Sequence, residues 1–138
     1  MFTPEIEQQL IETAIAARAH SYSPYSEYKV GAAALGGSGK IYSGCNVENA
    51  SYGLSNCAER TAIFTAIAAG ETKIKALCVA AKVSNPCGAC RQVMMEFMAG
   101  SSPVTTANVD DETGKYRLQR FTLADLLPRA FDPKKAGL

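Results

Sequence analysis

Apolar residues at Ile6, Leu10, Ile11, Ala14 and Ala17 repeat with the helical turn and predict an amphipathic helix near the start of the chain. Thr3 precedes it as the N-cap, and Pro4 falls in the first turn, where a missing N–H costs nothing. Ser21 to Glu27 is polar and holds Pro24, so it reads as a loop. Tyr28 to Leu35 and Ile41 to Glu48 are strand candidates on either side of Gly36-Gly37-Ser38-Gly39, the pattern of a hairpin. Asn49 to Asn56 is a second loop. Cys57 to Ala69 reads as a helix stopped by Gly70, and Ala76 to Ala81 as a buried strand. Pro86 then opens a helix that runs to about Ala99 and stops at Gly100. Val104 to Val109 and Tyr116 to Phe121 are the last strands, around a turn at Glu112-Thr113-Gly114. Thr122 to Leu127 is a short helix with Asp125 at the capping-box position.

Two helices flank the third strand, which implies crossovers and helices on both faces of a sheet. The expectation is an α/β protein: a single three-layer α/β/α domain with a mixed sheet of about five strands. Residues 1–131 form this domain and 132–138 a loose C-terminal tail, with no internal repeat and no linker. A chain of 138 residues suits one domain with a core that needs no disulfides. The formal net charge of +1 argues against a protein that grips nucleic acid by its phosphates, and Lys134 and Lys135 are too few to alter this. With no bilayer-length apolar run and no leader pattern, a soluble cytoplasmic protein without membrane contacts is expected. Five cysteines, an odd count, fit a reducing compartment better than a disulfide framework.

The cysteines gain meaning from their neighbours. Cys87 and Cys90 in Pro86-Cys87-Gly88-Ala89-Cys90 are three apart at a helix start, so their sulfurs can share one face and one ion. The helix dipole favours thiolates there. Cys57 at the start of the other helix supplies a third ligand, and three protein ligands leave the fourth zinc position open to water, the arrangement of catalytic zinc. Zinc ligation lowers the pKa of such a water to roughly 7. Glu59 is the candidate proton carrier, provided Cys57 lies in the first turn, because residues two apart do not face each other in a regular helix. Zinc with three thiolates carries a formal charge of about −1, which Arg60 is placed to offset by hydrogen-bonding the sulfurs, with Arg91 able to share the task. The alternative is buried free thiols or a closed structural zinc with Cys45 as fourth ligand. Cys45 and Cys78 read as core thiols, and His20, the one histidine, as a surface residue.

"YSPYSEYKVGAA" (22–33), "GCNVENASYGLSNCAERTAIF" (44–64), "PCGACRQV" (86–93) and "LLPRAF" (126–131) together resemble the small homotetrameric zinc-dependent cytidine deaminases over nearly the full length. The resemblance implies one Zn2+ per chain on Cys57, Cys87 and Cys90, with Glu59 catalytic. It implies hydrolysis of free cytidine or deoxycytidine to the uridine product and ammonia, in pyrimidine salvage. By the same resemblance Asn46 and Glu48 hold the ribose 3′-hydroxyl and Tyr28 packs near the base. Ala58 offers its backbone N–H to the base carbonyl, and Asn85 its backbone C=O to the 4-amino group. Phe131 closes a pocket, often that of a neighbouring subunit in a homotetramer. Three competitors are a deaminase for another cytosine compound such as blasticidin S, an editing deaminase on RNA or DNA, and a zinc-stapled interaction module. Glu48 disfavours the first and balanced charge the second.

Overall fold

The computed structural model describes residues 2–138. Thr3 caps α1 (Pro4–Ala17) with its Oγ1 accepting from the Ile6 N–H at 3.2 Å, and Pro4 occupies the first turn. Leu10, Ile11, Ala14 and Ala17 form its buried stripe. A 3₁₀ turn (Arg18–His20) and the polar loop lead to the hairpin of β1 (Gly31–Gly36) and β2 (Ile41–Cys45). α2 (Ala58–Ala68), β3 (Ile74–Ala81), α3 (Gly88–Phe97), β4 (Pro103–Val109), β5 (Tyr116–Thr122) and the one-turn α4 (Leu123–Leu126) complete the chain. The capping box forms as the sequence predicts: the Asp125 N–H donates to Thr122 Oγ1 at 3.2 Å, and the Thr122 N–H to Asp125 Oδ2 at 2.9 Å.

The five strands form one mixed sheet in the order β2-β1-β3-β4-β5, with only β3 and β4 paired in parallel. Two crossovers follow, β2–α2–β3 over the intervening β1 and β3–α3–β4 between neighbours. One face packs Ala33, Leu35, Ala76, Cys78 and Ala80 against Leu10, Ile11 and Ala14 of α1. The other packs Ala32, Ala34, Leu77 and Val104 against α2, α3 and α4 through Ala62, Ile63, Met94 and Leu123. This is the three-layer α/β/α domain. Alanines at 32, 33 and 34 point alternately to the two faces and keep both helix layers close to the sheet. No helix among the described residues is long and apolar enough to cross a membrane.

Several element ends differ from the sequence expectation. β1 begins at Gly31, not Tyr28, because the Asn46 side chain takes over the backbone of 28–30: Val30 N–H donates to its Oδ1 at 3.0 Å and its Nδ2 donates to Tyr28 O at 2.7 Å. β2 ends at Cys45, not Glu48, and Val47 instead makes isolated bridges to Tyr22 and Asn56. β3 starts two residues before Ala76, at Ile74. α3 starts at Gly88, so Pro86 lies before the helix rather than in its first turn. It ends at Phe97, where Met98 turns extended. Residues 132–138 close into turns of their own, with Leu138 N–H bonded to Pro133 O at 2.8 Å.

The strand directions explain where chemistry can gather. The start of β1, the ends of β2, β3 and β4, and the N-termini of α2 and α3 all lie at one end of the sheet, where open α/β sheets place their ligands.

Candidate metal centre and adjoining pocket

Cys57 and Cys87 are the N-caps of α2 and α3, both with extended backbone, and neither sulfur caps its own helix. Each sulfur is therefore free to turn toward the other. Cys57 Sγ lies 3.8 Å from Cys87 Sγ, which lies 3.4 Å from Cys90 Sγ one helical turn on. All three sulfurs fall within 4.8 Å of one another, and no other group of His, Cys, Asp or Glu among the described residues does this. Zinc–sulfur bonds of about 2.3 Å in a tetrahedron require sulfurs about 3.8 Å apart, so the donor set fits zinc. Cys45 is not in the cluster: its thiol donates to the His20 carbonyl at 3.4 Å. A closed four-cysteine site is thereby disfavoured. Cys78 is a core thiol, pushed up to about 12 by burial and by the charge of Glu7.

The surroundings favour a thiolate at Cys57. The Cys90 thiol as hydrogen-bond partner, with the Arg60 guanidinium and the Cys87 thiol, draws Cys57 down to about 5. Cys90 is pushed up, because its thiol keeps its proton and donates a hydrogen bond to the Cys57 sulfur, and because it is buried. Arg60 Nη2 donates to Cys57 Sγ at 3.3 Å, and its Nε is buried without a partner. Arg91 does not share this task. Its Nε donates to Pro86 O at 2.8 Å and its Nη1 to Leu126 O at 2.7 Å, tying α3 to α4 instead.

Glu59 is 4% exposed, and desolvation lifts its carboxyl to about 7. The extended backbone of Cys57 resolves the spacing problem, since the pair is not two apart within a regular helix. Cys57, Ala58, Glu59 and Cys87 line one cavity together with Tyr28, Asn46, Glu48 and Asn85. Cys90 and Arg60 lie behind this wall. Phe131 is not part of it: the side chain is 61% exposed, and its backbone carbonyl accepts from Gln92 Nε2 at 3.3 Å.

The two sugar-type residues are partly engaged already. Asn46 Oδ1 accepts from Val30 N–H and Ser21 Oγ, leaving one amide N–H free. Glu48 accepts from the backbone N–H groups of Tyr25 and Ser26 and from Ser26 Oγ, which hold its carboxyl below the usual range, the Ser26 hydroxyl most of all. A carboxylate offers about four lone-pair positions, so about one stays open to an incoming hydroxyl. Sequence reasoning missed Ser84 and Asn108. Ser84 lines the cavity, and its N–H and Oγ–H donate to Asn108 Oδ1 at 3.0 and 2.7 Å. The available signal was an amide in an otherwise buried strand, beside the end of β3.

Comparison with known proteins gives a consistent result. Residues 4–106 match the family described as the cytidine and deoxycytidylate deaminase zinc-binding region. A cytidine deaminase of Sporosarcina psychrophila is 46% identical over 127 residues, covering 90% of this chain and 90% of that protein. The crystal structure of a cytidine deaminase from Burkholderia pseudomallei superposes with a TM-score of 0.78 at 46% identity, covering 94% of this chain and 100% of that one. A cytidine deaminase structure from Mycobacterium tuberculosis gives 0.74 at 38% identity, covering 91% and 97%.

Proposed function

The chain belongs to the cytidine and deoxycytidylate deaminase family, and from that premise we propose the residue roles, specificity and assembly that follow. The reaction is zinc-dependent hydrolytic deamination of cytidine and deoxycytidine to uridine and deoxyuridine plus ammonia. The observation that carries the residue roles is a buried carboxyl in one cavity with a three-sulfur cluster. Cys57, Cys87 and Cys90 hold one Zn2+, which when bound supplies a Lewis acid that lowers the pKa of water to about 7.

The chain's own groups do the rest. Glu59 accepts a proton from the attacking water and delivers it to ring N3. It then takes the remaining proton of that oxygen, now the 4-hydroxyl of the adduct, and delivers it to the amino group as the C4–N bond breaks and ammonia departs. Burial favours the protonated form of its carboxyl, which makes it a better proton acceptor than an exposed glutamate. The remaining N–H of Asn46 and the open lone pair of Glu48 take the ribose 3′-hydroxyl. The Tyr28 ring packs near the base. The Ala58 N–H and Asn85 C=O read its two polar edges. Arg60 offsets the excess negative charge of the sulfurs.

On the same premise we propose a cytoplasmic enzyme of pyrimidine salvage, with its catalytic domain in 1–131 and a tail in 132–138. It acts on free nucleosides rather than nucleic acid and works as a homotetramer. Tyr52 and Leu54 support that assembly, being 75% and 71% exposed in the 49–56 loop, with Tyr52 edge-on to Tyr25 at 5.8 Å. Phe131 reaches the pocket of a neighbouring copy. The deciding experiment is zinc analysis with deamination assays on cytidine, deoxycytidine, CMP and cytosine. One zinc per chain and turnover of the two nucleosides are expected. Efficient use of CMP would contradict the specificity.

A further inference from the structure

The 82–87 segment, which links β3 to α3, has no regular structure, yet it carries both Asn85 and the ligand Cys87. Its backbone is tied residue by residue. The Tyr28 hydroxyl both accepts from the Val83 N–H at 2.6 Å and donates to the Val83 C=O at 2.5 Å, so one phenol stands in for a strand partner. Asn108 Oδ1 takes both the N–H and the hydroxyl of Ser84, which is 3% exposed. Arg91 Nε takes the carbonyl of Pro86. Between these ties, the Asn85 carbonyl receives no protein hydrogen bond among the described residues, and Pro86 after it restricts Asn85 toward an extended backbone. Tyr28 precedes β1 and Asn108 lies in β4, the two strands on either side of β3.

Resting on the reading that this pocket deaminates a cytosine base, we propose that the Tyr28 hydroxyl and the Asn108 amide are positioning residues. They clamp the 82–87 segment from the two strands flanking β3 and aim the Asn85 carbonyl at the 4-amino group. The Tyr28 ring and its hydroxyl then have separable duties, since the hydroxyl acts on Val83 and not on the nucleoside. Each tie is a hydrogen bond whose loss shifts the carbonyl rather than removing it, so the effect is graded.

The variants are Tyr28→Phe, Asn108→Ala and Asn108→Asp, the last of which keeps the oxygen acceptor. Three quantities are read: kcat/KM for cytidine, the affinity for pyrimidin-2-one riboside, which has the same ring and sugar but hydrogen at C4, and zinc per chain. Tyr28→Phe and Asn108→Ala each remove two hydrogen bonds and are each expected to lower kcat/KM for cytidine roughly tenfold or more. Affinity for the C4-unsubstituted riboside should stay within about twofold and zinc content should stay full, while Asn108→Asp stays near wild type. Unchanged kcat/KM in both loss variants overturns the clamp, and so does an equal loss for both ligands, which would indicate general disturbance of the pocket. If Asn108→Ala does not fold, Tyr28→Phe at the exposed cavity rim carries the same test. An inactive wild type would overturn the deaminase reading and the clamp with it. An active wild type with unaffected variants overturns the clamp alone.

Discussion

Arg60 touches the metal cluster without being a ligand, and its guanidinium is the nearest compensation for the sulfurs' charge. Three thiolates around zinc leave a formal charge of about −1, which makes bound water harder to ionise unless something offsets it. Arg60→Gln should retain zinc yet lower turnover by roughly 10–100-fold, the usual cost of losing a partner behind a ligand. If charge is the cause, adding Cys57→His should partly restore turnover, because imidazole brings no negative charge. A double-mutant cycle with zinc measured in each variant checks this, and strictly additive losses would count against it. At this scale the sequence was most legible where chemistry constrains residue type: the three cysteines do gather into one sulfur cluster, and Glu59 lines the cavity beside it. It was least legible for side chains that serve backbone. Arg91 was expected to be able to share the task of Arg60, but the carbonyls of Pro86 and Leu126 claim it. Asn108 gave no sign of its partner, because Ser84 is 24 residues away.

The elements deliver the cysteines by a shared device. Each helix begins at a cysteine whose extended backbone turns the sulfur off the helix axis, and the two starts meet beside the end of β3. Gly44 makes the meeting possible. A Cβ there would lie 2.3 Å from the Ala62 N and 2.8 Å from the Ala58 O, both backbone atoms that cannot step aside. Gly44→Ala should therefore push α2 off β2, and overpacking of this kind costs about 1–3 kcal/mol. A urea unfolding midpoint measured with and without added zinc checks it, with a wild-type midpoint as the contradicting result. The helix α1 was legible because its cap, proline and apolar stripe agree with one another. The early end of β2 and late start of β1 were not, because an asparagine side chain from one strand end supplies the hydrogen bonds that the other strand would have made. Alternation of apolar residues cannot reveal that substitution.

At the scale of the whole molecule, pairing directions put six element ends at one edge of the sheet, and the cavity forms there. Three layers were expected from the two helices that flank the third strand, but those helices, α2 and α3, pack on the same face, and α1 supplies the opposite layer. Strand order was not legible, since only long-range pairing decides that β1 lies between β2 and β3. Phe131 stays exposed, outside the cavity of its own chain, which is compatible with the proposed closure of a neighbouring copy's pocket. Sedimentation should accordingly give a tetramer, and Phe131→Ala should raise KM for cytidine without dissociating zinc. A fully active monomer would contradict this. The central claim is a division of labour, in which three sulfurs hold the metal and Glu59 moves protons without holding it. Its most direct test is zinc content and cytidine turnover measured on the same preparation of Glu59→Gln. Full zinc with turnover reduced by at least about 100-fold is expected, because general acid–base catalysis supplies about 10²–10⁴ and this carboxyl acts more than once. Full zinc with near-normal turnover would remove Glu59 from the mechanism, and loss of zinc would make it part of the metal site instead.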